Sequence, residues 1–385
     1  GDSTDDLDYV SDSALTLNGG TIKDSTGNAA ILTLPLPGSS ASLGENKNIV
    51  IDGIPPTITA SSITSNNLDS TSYAKAGDQV TLTFTTSEAI HAPTVVIRDS
   101  VATVTGSGNT WTATRTTDTL DTDGAVSFAI TYKDLAGNNG ITLTTTTDSS
   151  NVTFDNTTPY ATIVTMTSNN PINDDYAGMG DTVTISLMTS ENVQEPQIIL
   201  DGQSLAITGG GYQWSSISTM NASNTEDTLT FTVNFKDFAG NETVQITTTT
   251  NSSIVIYDNT APAINSVSVS SSNTYDSTLA VMGDLVIVTF VTNENIHTPI
   301  AEIGDSAATV TGSGSSWLAS RTMTSFDAEG VISLSIDFQD LAANIGAHQI
   351  ATTDSSSIIY DQTNPVITSL TIASNNENGD SLALV

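Results

Sequence analysis

Acidic side chains recur along this chain at one fixed interval, and the chemistry they suit is the binding of a hard metal ion. Asp52, Asp155, Asp258 and Asp361 stand 103 residues apart, and Glu88, Glu191 and Glu294 keep that spacing, as do Asp134, Asp237 and Asp340. Carboxylates gathered in threes need a counterion, and calcium is the natural one because it accepts roughly six to eight hard oxygens in flexible geometry. Asn138, Asn241 and a linker carbonyl are further candidate oxygen donors. A simpler role is also open to Asp134 and its equivalents. KDLAGN at 133–138, KDFAGN at 236–241 and QDLAAN at 339–344 suit a capped turn, since Asp and Asn bond their own backbone and Gly accepts positive φ. Turn alone and turn plus calcium both remain open on sequence grounds. Ala343 replaces the glycine in the third copy, so its turn is expected to be looser. Catalysis finds no support: His91 and His297 are one position in two copies, His348 adds no triad, and no Ser/His/Asp grouping, phosphate loop or facing glutamate pair recurs. The expectation is a protein that is not an enzyme.

The elements that must position these acids follow from the same period. It divides the chain into repeats at 53–156, 157–259 and 260–362, each long enough to bury a modest core. Residues 1–52 read as the C-terminal half of a related domain and 363–385 as the start of a further one, as in a window on a longer array; strand exchange between molecules is the rival expectation for these ends. Within the first repeat, Val80, Leu82 and Phe84 alternate with threonines, 126–132 alternates again, and 141–144 and 152–154 read as the strands that finish the bead. Seven or eight short strands separated by turn residues predict an all-β fold, with tandem immunoglobulin-like β-sandwiches in an elongated array. Trp111, Trp214 and Trp317, one per repeat, are expected to plug the space between sheets. Strands that run alternately up and down sort the loops onto two poles. The loop carrying Glu88 and the loop carrying Asp134 then share the pole at which the chain enters through Asp52. Three carboxylates should converge at each junction: Asp52 with Glu88 and Asp134, Asp155 with Glu191 and Asp237, Asp258 with Glu294 and Asp340. At the opposite pole Asp69 and Asp78, with Asp174, Asp175, Asp181, Asp276 and Asp284 in the later repeats, are placed to approach the next linker.

Composition narrows the partners. Asp and Glu number 42 against 8 Lys and Arg, a formal charge of -34, which argues against nucleic acid or an anionic membrane as partner. Charge of this size calls for high salt or divalent cations, and both point outside a cell. Cysteine is absent, so disulfides contribute nothing. No apolar stretch approaches the roughly 20 residues that span a bilayer. Asn151, Asn156, Asn221, Asn241 and Asn251 each begin an N-x-S/T triplet, a glycosylation acceptor where a host has the machinery.

FDNTTP at 154–159, YDNTAP at 257–262 and YDQTNP at 360–365, paired with the three turn motifs above, resemble the bacterial Ig-like repeats of very large secreted surface proteins. ALTLNGGTIKDSTGN at 14–28 and NKNIVIDG at 46–53 look like the end of another subtype, with Asp24 and Asp52 in the corresponding places. The resemblance implies stalks of adhesins, biofilm matrix proteins or surface-layer subunits, with calcium at domain junctions. It makes Asp52, Asp155 and Asp258 linker ligands and Asp134, Asp237 and Asp340 their loop partners, whereas the three glutamates rest on the topology argument. The expected function is a calcium-stiffened, extracellular rod or stalk at the cell surface. Its partners would be further Ig-like domains or copies of itself, with any glycan or protein receptor bound elsewhere. A self-assembling surface-layer, sheath or filament subunit is the first alternative, and a carbohydrate-binding or enzyme-accessory region the next.

Overall fold

A computed structural model describes residues 3–4 and 6–372. Its hydrophobic residues gather into three separate cores, and the members of each lie within 58–154, 161–257 and 264–360 respectively. The first bead serves for all three. Its strands are β1 (Ile58–Ser65), β2 (Tyr73–Ala74), β3 (Gln79–Thr86), β4 (Thr94–Ile97), β5 (Thr103–Ser107), β6 (Thr110–Thr116), β7 (Gly124–Ala125), β8 (Phe128–Thr131) and β9 (Thr153–Phe154). One sheet runs β1-β3-β6-β5, the facing sheet pairs β8 with β4 and adds a further two-residue strand, Ser100–Val101, on the other side of β4, and a small third sheet, β7-β9-β2, closes the far end. This is the strand order of an immunoglobulin-like sandwich, and residues 58–360 form an all-β array of three such units.

Period-two alternation explains the core. Val80, Leu82 and Phe84 on β3 point inward and are buried, while the threonines between them face out. Trp111 and Trp317 are buried in their cores, and Trp214 packs half-buried against its own. Each indole Nε1 donates to the carbonyl three residues earlier, Gly108, Gly211 or Gly314, at 3.0–3.1 Å. Gly106 must lack a side chain there: its φ is +138°, and a Cβ would stand 2.4 Å from the Thr110 carbonyl oxygen.

One expected strand is largely missing. Residues 141–144 meet β8 only in a single bridge, Ile130 with Leu143. The chain then leaves β8 and crosses to the free edge of β1. There Thr147 Oγ1 accepts from Ser61 N and Ser150 Oγ accepts from Ile63 N, each at 2.8 Å. The same two contacts recur at Val164 and Met166 and at Val267 and Val269. Hydroxyls thus cover a sheet edge that would otherwise offer unpaired N–H groups. Part of the threonine and serine content is accounted for by this, rather than by outward strand faces.

The region before the first bead is thinner. Ser3–Thr4 pairs with Ile51–Asp52, a short helix spans Leu43–Asn46, and Ser42 Oγ caps it by accepting from Glu45 N at 3.3 Å. The described residues of 1–52 join none of the three cores. Most of the segment read as the start of a further domain, 373–385, lies outside the described residues.

Candidate metal centres at the junctions

At the leading pole of each bead, three pieces of chain meet: the linker, the loop after β3, and the turn after β8. Backbone pairing of Ile90 with Asp134, and of Ile296 with Asp340, holds loop and turn together. The carboxylates of Asp52, Glu88 and Asp134 consequently offer oxygens within 4.8 Å of one another, and Asp155, Glu191 and Asp237, then Asp258, Glu294 and Asp340, do the same. The nine acids expected to converge at the junctions fall into these triads, grouped as the topology argument required. The turn aspartates are buried, and the other six are half-buried.

Asp134 is a turn cap and a cluster member at once. Its Oδ1 accepts from Gly137 N at 2.7 Å and Asn138 N at 2.8 Å. Its Oδ2 accepts from Asn138 Nδ2 at 2.8 Å, and that amide also donates to the Asp52 carbonyl at 2.9 Å. Asn241 joins Asp237 to the Asp155 carbonyl, and Asn344 joins Asp340 to the Asp258 carbonyl, in the same way. The asparagines therefore commit their amide nitrogens to linker and turn, and Oδ1 is the atom left to serve as the oxygen ligand expected of Asn138 and Asn241. The linker carbonyl that was a candidate ligand is the acceptor of that bond. An amide held twice also leaves Asn241 unsuited to carry a glycan while the turn is formed. Ala343 does not loosen its turn: it adopts φ +70°, close to Gly137 at +100° and Gly240 at +82°. Asp340 Oδ1 still accepts from Ala342 N and Asn344 N, at 2.8 and 2.9 Å.

The remaining members are fixed by short local bonds. Asp52, Asp155 and Asp258 each accept, through Oδ1, from the backbone N–H two residues on, at 2.9–3.1 Å. Buried Thr86, Thr189 and Thr292 donate to the carbonyls of Glu88, Glu191 and Glu294 at 2.6 Å. A fourth acid, not singled out in the sequence, comes from the preceding bead at the second and third junctions. Asp123 Oδ1 accepts from Asn156 N at 2.8 Å, and Glu226 Oε1 accepts from Asn259 N at 3.1 Å. The signal was present, since Asp123, Glu226 and Glu329 also stand 103 residues apart. Gly20 holds the equivalent place before the first junction, which lacks this acid.

The electrostatics are those of an anionic pocket without internal neutralisation. Burial, then Asp155, Asp237 and Asp123, push the Glu191 carboxyl up to about 7. Burial and like charges also raise Glu88 and Glu294. Burial raises Asp155 and Asp340 as well. Burial pushes Asp134 up too, but its turn hydrogen bonds outweigh that and hold it low. Each group contains carboxylates alone, with no histidine nitrogen or thiolate. Such a donor set fits a hard divalent cation and not a soft one.

The trailing pole differs from expectation. Asp78 and Asp181 do not turn toward the linker. Each accepts through Oδ2 from an asparagine of its own loop, Asn67 or Asn170, and from the backbone N–H three residues earlier. Asp284 does likewise with Asn273 and Val281, and Asp276 bonds Thr278. Asp69 reaches across the junction, but to Lys236 of the next bead.

No family model and no curated protein matches the chain. Among solved structures it is similar to the I9–I11 tandem from titin (TM-score 0.28, 10% identity, covering 75% of this chain and 94% of that one). It is also similar to the fibronectin(III)-like modules of Clostridium thermocellum CbhA (0.27, 11%, 51% and 94%) and to the FN1–FN3 domains of chicken CNTN1 (0.25, 9%, 80% and 99%). At these scores the likeness stands as a resemblance, and the fold assignment rests on the strand order. Among the described residues no helix is long and apolar enough to cross a membrane.

Proposed function

We propose that this chain is a non-catalytic, extracellular rod or stalk of a cell surface, its beads held at fixed angles by calcium at each junction. The observation that carries the reading is the threefold recurrence of a linker acid, a loop acid and a turn acid within 4.8 Å. Two members of each triad belong to a bead and the third to the linker that enters it, so a shared cation ties linker to bead. Asp155, Glu191 and Asp237, with Asp123 beside them, would hold it at the second junction, and water or backbone oxygens would complete its shell. The ion supplies positive charge that neutralises carboxylates otherwise driven apart. A formal charge of -34 on 385 residues makes that neutralisation matter along the whole rod.

Small-angle scattering of the full chain with calcium and with chelator tests the proposal. A longer, stiffer particle in calcium supports it, and superimposable profiles under both conditions refute it.

A second reading, a self-assembling sheet, sheath or filament subunit, has one observation in its favour. Edge strand β5 and its equivalents, Ile207–Gly210 and Thr309–Ser313, present mostly exposed residues at the same place in every bead. A row of identical strand edges suits lateral pairing between chains. Electron microscopy in calcium separates the two: isolated thin fibres favour the stalk, and periodic sheets or tubes favour the lattice.

A further inference from the structure

The trailing loop of each bead receives the turn of the next, and the two junctions accomplish this with different residues. They share a latch. Asn67 Nδ2 donates to the Ala239 carbonyl at 2.8 Å while its Oδ1 accepts from Asp69 N at 2.9 Å. One junction on, Asn170 Nδ2 donates to the Ala342 carbonyl at 2.9 Å and its Oδ1 accepts from Ile172 N at 2.9 Å. Both asparagines and both alanines are buried, so each amide is committed at both ends.

Around that latch the junctions diverge. Between the first and second beads, Lys75 Nζ donates to the Gly240 carbonyl, Lys236 pairs with Asp69, and the Tyr73 ring stacks on Phe238 at 5.9 Å. At Gly240 a Cβ would stand 2.3 Å from Asp69 Oδ2, so that carboxylate would have to move away from its place beside Lys236. Between the second and third beads, Ala343 takes the place of Gly240, and the bare residue has moved to the other partner. Gly178 stands where Lys75 stood, and a Cβ on it would come within 2.6 Å of the Ala342 carbonyl oxygen. Ile172 replaces Asp69, and Gln339 replaces Lys236, so both charges of the ion pair are lost together.

We infer that each trailing loop is a socket matched to the turn of one particular following bead, so that these junctions specify the order of beads as well as their orientation. The turn of the third bead, set on the socket of the first, would drive the Ala343 methyl into Asp69 and leave that carboxylate facing neutral Gln339. The turn of the second bead, set on its own socket, would bring Lys236 beside Ile172 and lose both the ion pair and the lysine at position 75. Mismatch therefore costs in both directions, which is how specificity is built into a shared scaffold. The socket of the third bead keeps the latch asparagine, Asn273, whose Nδ2 donates to Asp284 Oδ2 of the same loop at 2.8 Å, but carries Tyr275 and Val281 at the variable positions. Its fitting partner is a bead whose D-x-A-x-N turn is preceded by an uncharged residue.

The chain has no cysteine, so Thr105→Cys with Gln203→Cys places one spin label on each of the first two beads of the full chain. The width of the distance distribution between them reports the docked junction. Three variants carry these labels: turn only (Lys236→Gln with Gly240→Ala), socket only (Asp69→Ile with Lys75→Gly), and all four changes together. A cooperative melt of every variant confirms that its beads are folded. Each half-set is expected to lower the docked-to-undocked ratio about tenfold and broaden the distribution, and the full set to restore the narrow one. Narrow distributions in the half-sets overturn the inference, as does a full set as broad as either half. The measurements are made in calcium and in chelator. If the calcium reading alone fails, chelation leaves every width unchanged while the matched and mismatched pattern persists.

Discussion

Replacing Glu191 by glutamine separates a cation site from a purely structural cluster, because the two make opposite forecasts. Two unit charges 4.8 Å apart repel by about 0.9 kcal/mol in bulk water and about 3.5 kcal/mol at an effective dielectric constant of 20. Glu191 faces two such neighbours, Asp155 and Asp237, and in the absence of a cation it responds by holding its proton up to about pH 7. Against an ordinary value of 4.5, ionising it in the folded bead at pH 7 costs about 3 kcal/mol, reduced to about 1–2 kcal/mol by solvent screening of a half-buried group. In chelator, Glu191→Gln should therefore stabilise the second bead by about 1–2 kcal/mol and raise its Tm by roughly 5–10 °C. In calcium the order should invert, since the wild type gains binding free energy that the variant has partly lost. The sign for pH follows from the raised value: without divalent ions, stability is greatest below the unfolded value near 4.5 and is lost as pH rises through about 7, and calcium should flatten that slope. Differential scanning calorimetry of both proteins, with calcium and with chelator at pH 5 and pH 7, reads all of this. Parallel shifts of both proteins on adding calcium, or a variant less stable than wild type in chelator, would refute the reasoning.

Burial pushes Asp121 up, but its bonds to Arg115 and the Asp118 N–H hold it low, and Asp327 with Arg321 repeats the arrangement. Ser218 and Asn224 stand at those places in the second bead, so acid titration below pH 3.8 should destabilise beads one and three through this pair while sparing bead two; separate acid-unfolding transitions followed by residue-resolved hydrogen exchange check this. Asp121→Asn should cost the first bead about 1–3 kcal/mol in urea unfolding, because it takes the bidentate carboxylate from half-buried Arg115 and leaves only Asp118, 4.0 Å away. Ala343→Gly should stabilise the third bead by roughly 0.5–1 kcal/mol, the relief of a left-handed φ less the added chain entropy, and a Tm that falls would contradict it. Thr147→Val strips the acceptor from Ser61 N at the edge of β1 and should cost about 1–3 kcal/mol, with faster amide exchange confined to β1.

The sandwich was legible because alternation in Val80–Phe84 and 126–132 admits one side facing in, and because turn residues recur between such runs. The triads were legible because strand direction alone decides which loops share a pole. What stayed hidden involves choices that periodicity does not encode. An asparagine at position 138 offers nitrogen or oxygen with equal ease, and only the Asp52 carbonyl, fixed by the linker, selects the nitrogen. Asp123 and Glu226 escaped notice because their side chains differ in length and they themselves stand outside any motif, although they bond the backbone and a threonine hydroxyl of the linker. Residues 141–144 read as a full strand, yet the next segment is drawn off to the unpaired edge of β1, where threonine and serine hydroxyls satisfy what another strand would have satisfied. The sockets were out of reach for a different reason: they depend on positions where the repeats disagree, and a search for likeness passes over them.

Rigidity in a row of beads needs contacts in more than one direction, because a single contact beside a linker leaves a hinge. One turn supplies both here. In residues 237–241, the Asp237 carboxylate belongs to the acidic cluster and Asn241 grips the Asp155 carbonyl, while the Ala239 and Gly240 carbonyls point to Asn67 and Lys75 of the bead before. The cap that Asp237 places on this turn sets the direction of all four groups, so ordering the turn for one partner orders it for the other. Any free energy that a cation gains from a docked turn, the docked turn must gain from the cation, by reciprocity of linked equilibria. On the proposed reading, metal and socket would therefore act through five residues that are already folded by their own hydrogen bonds, and the angle between beads would be set by the one element that both hold.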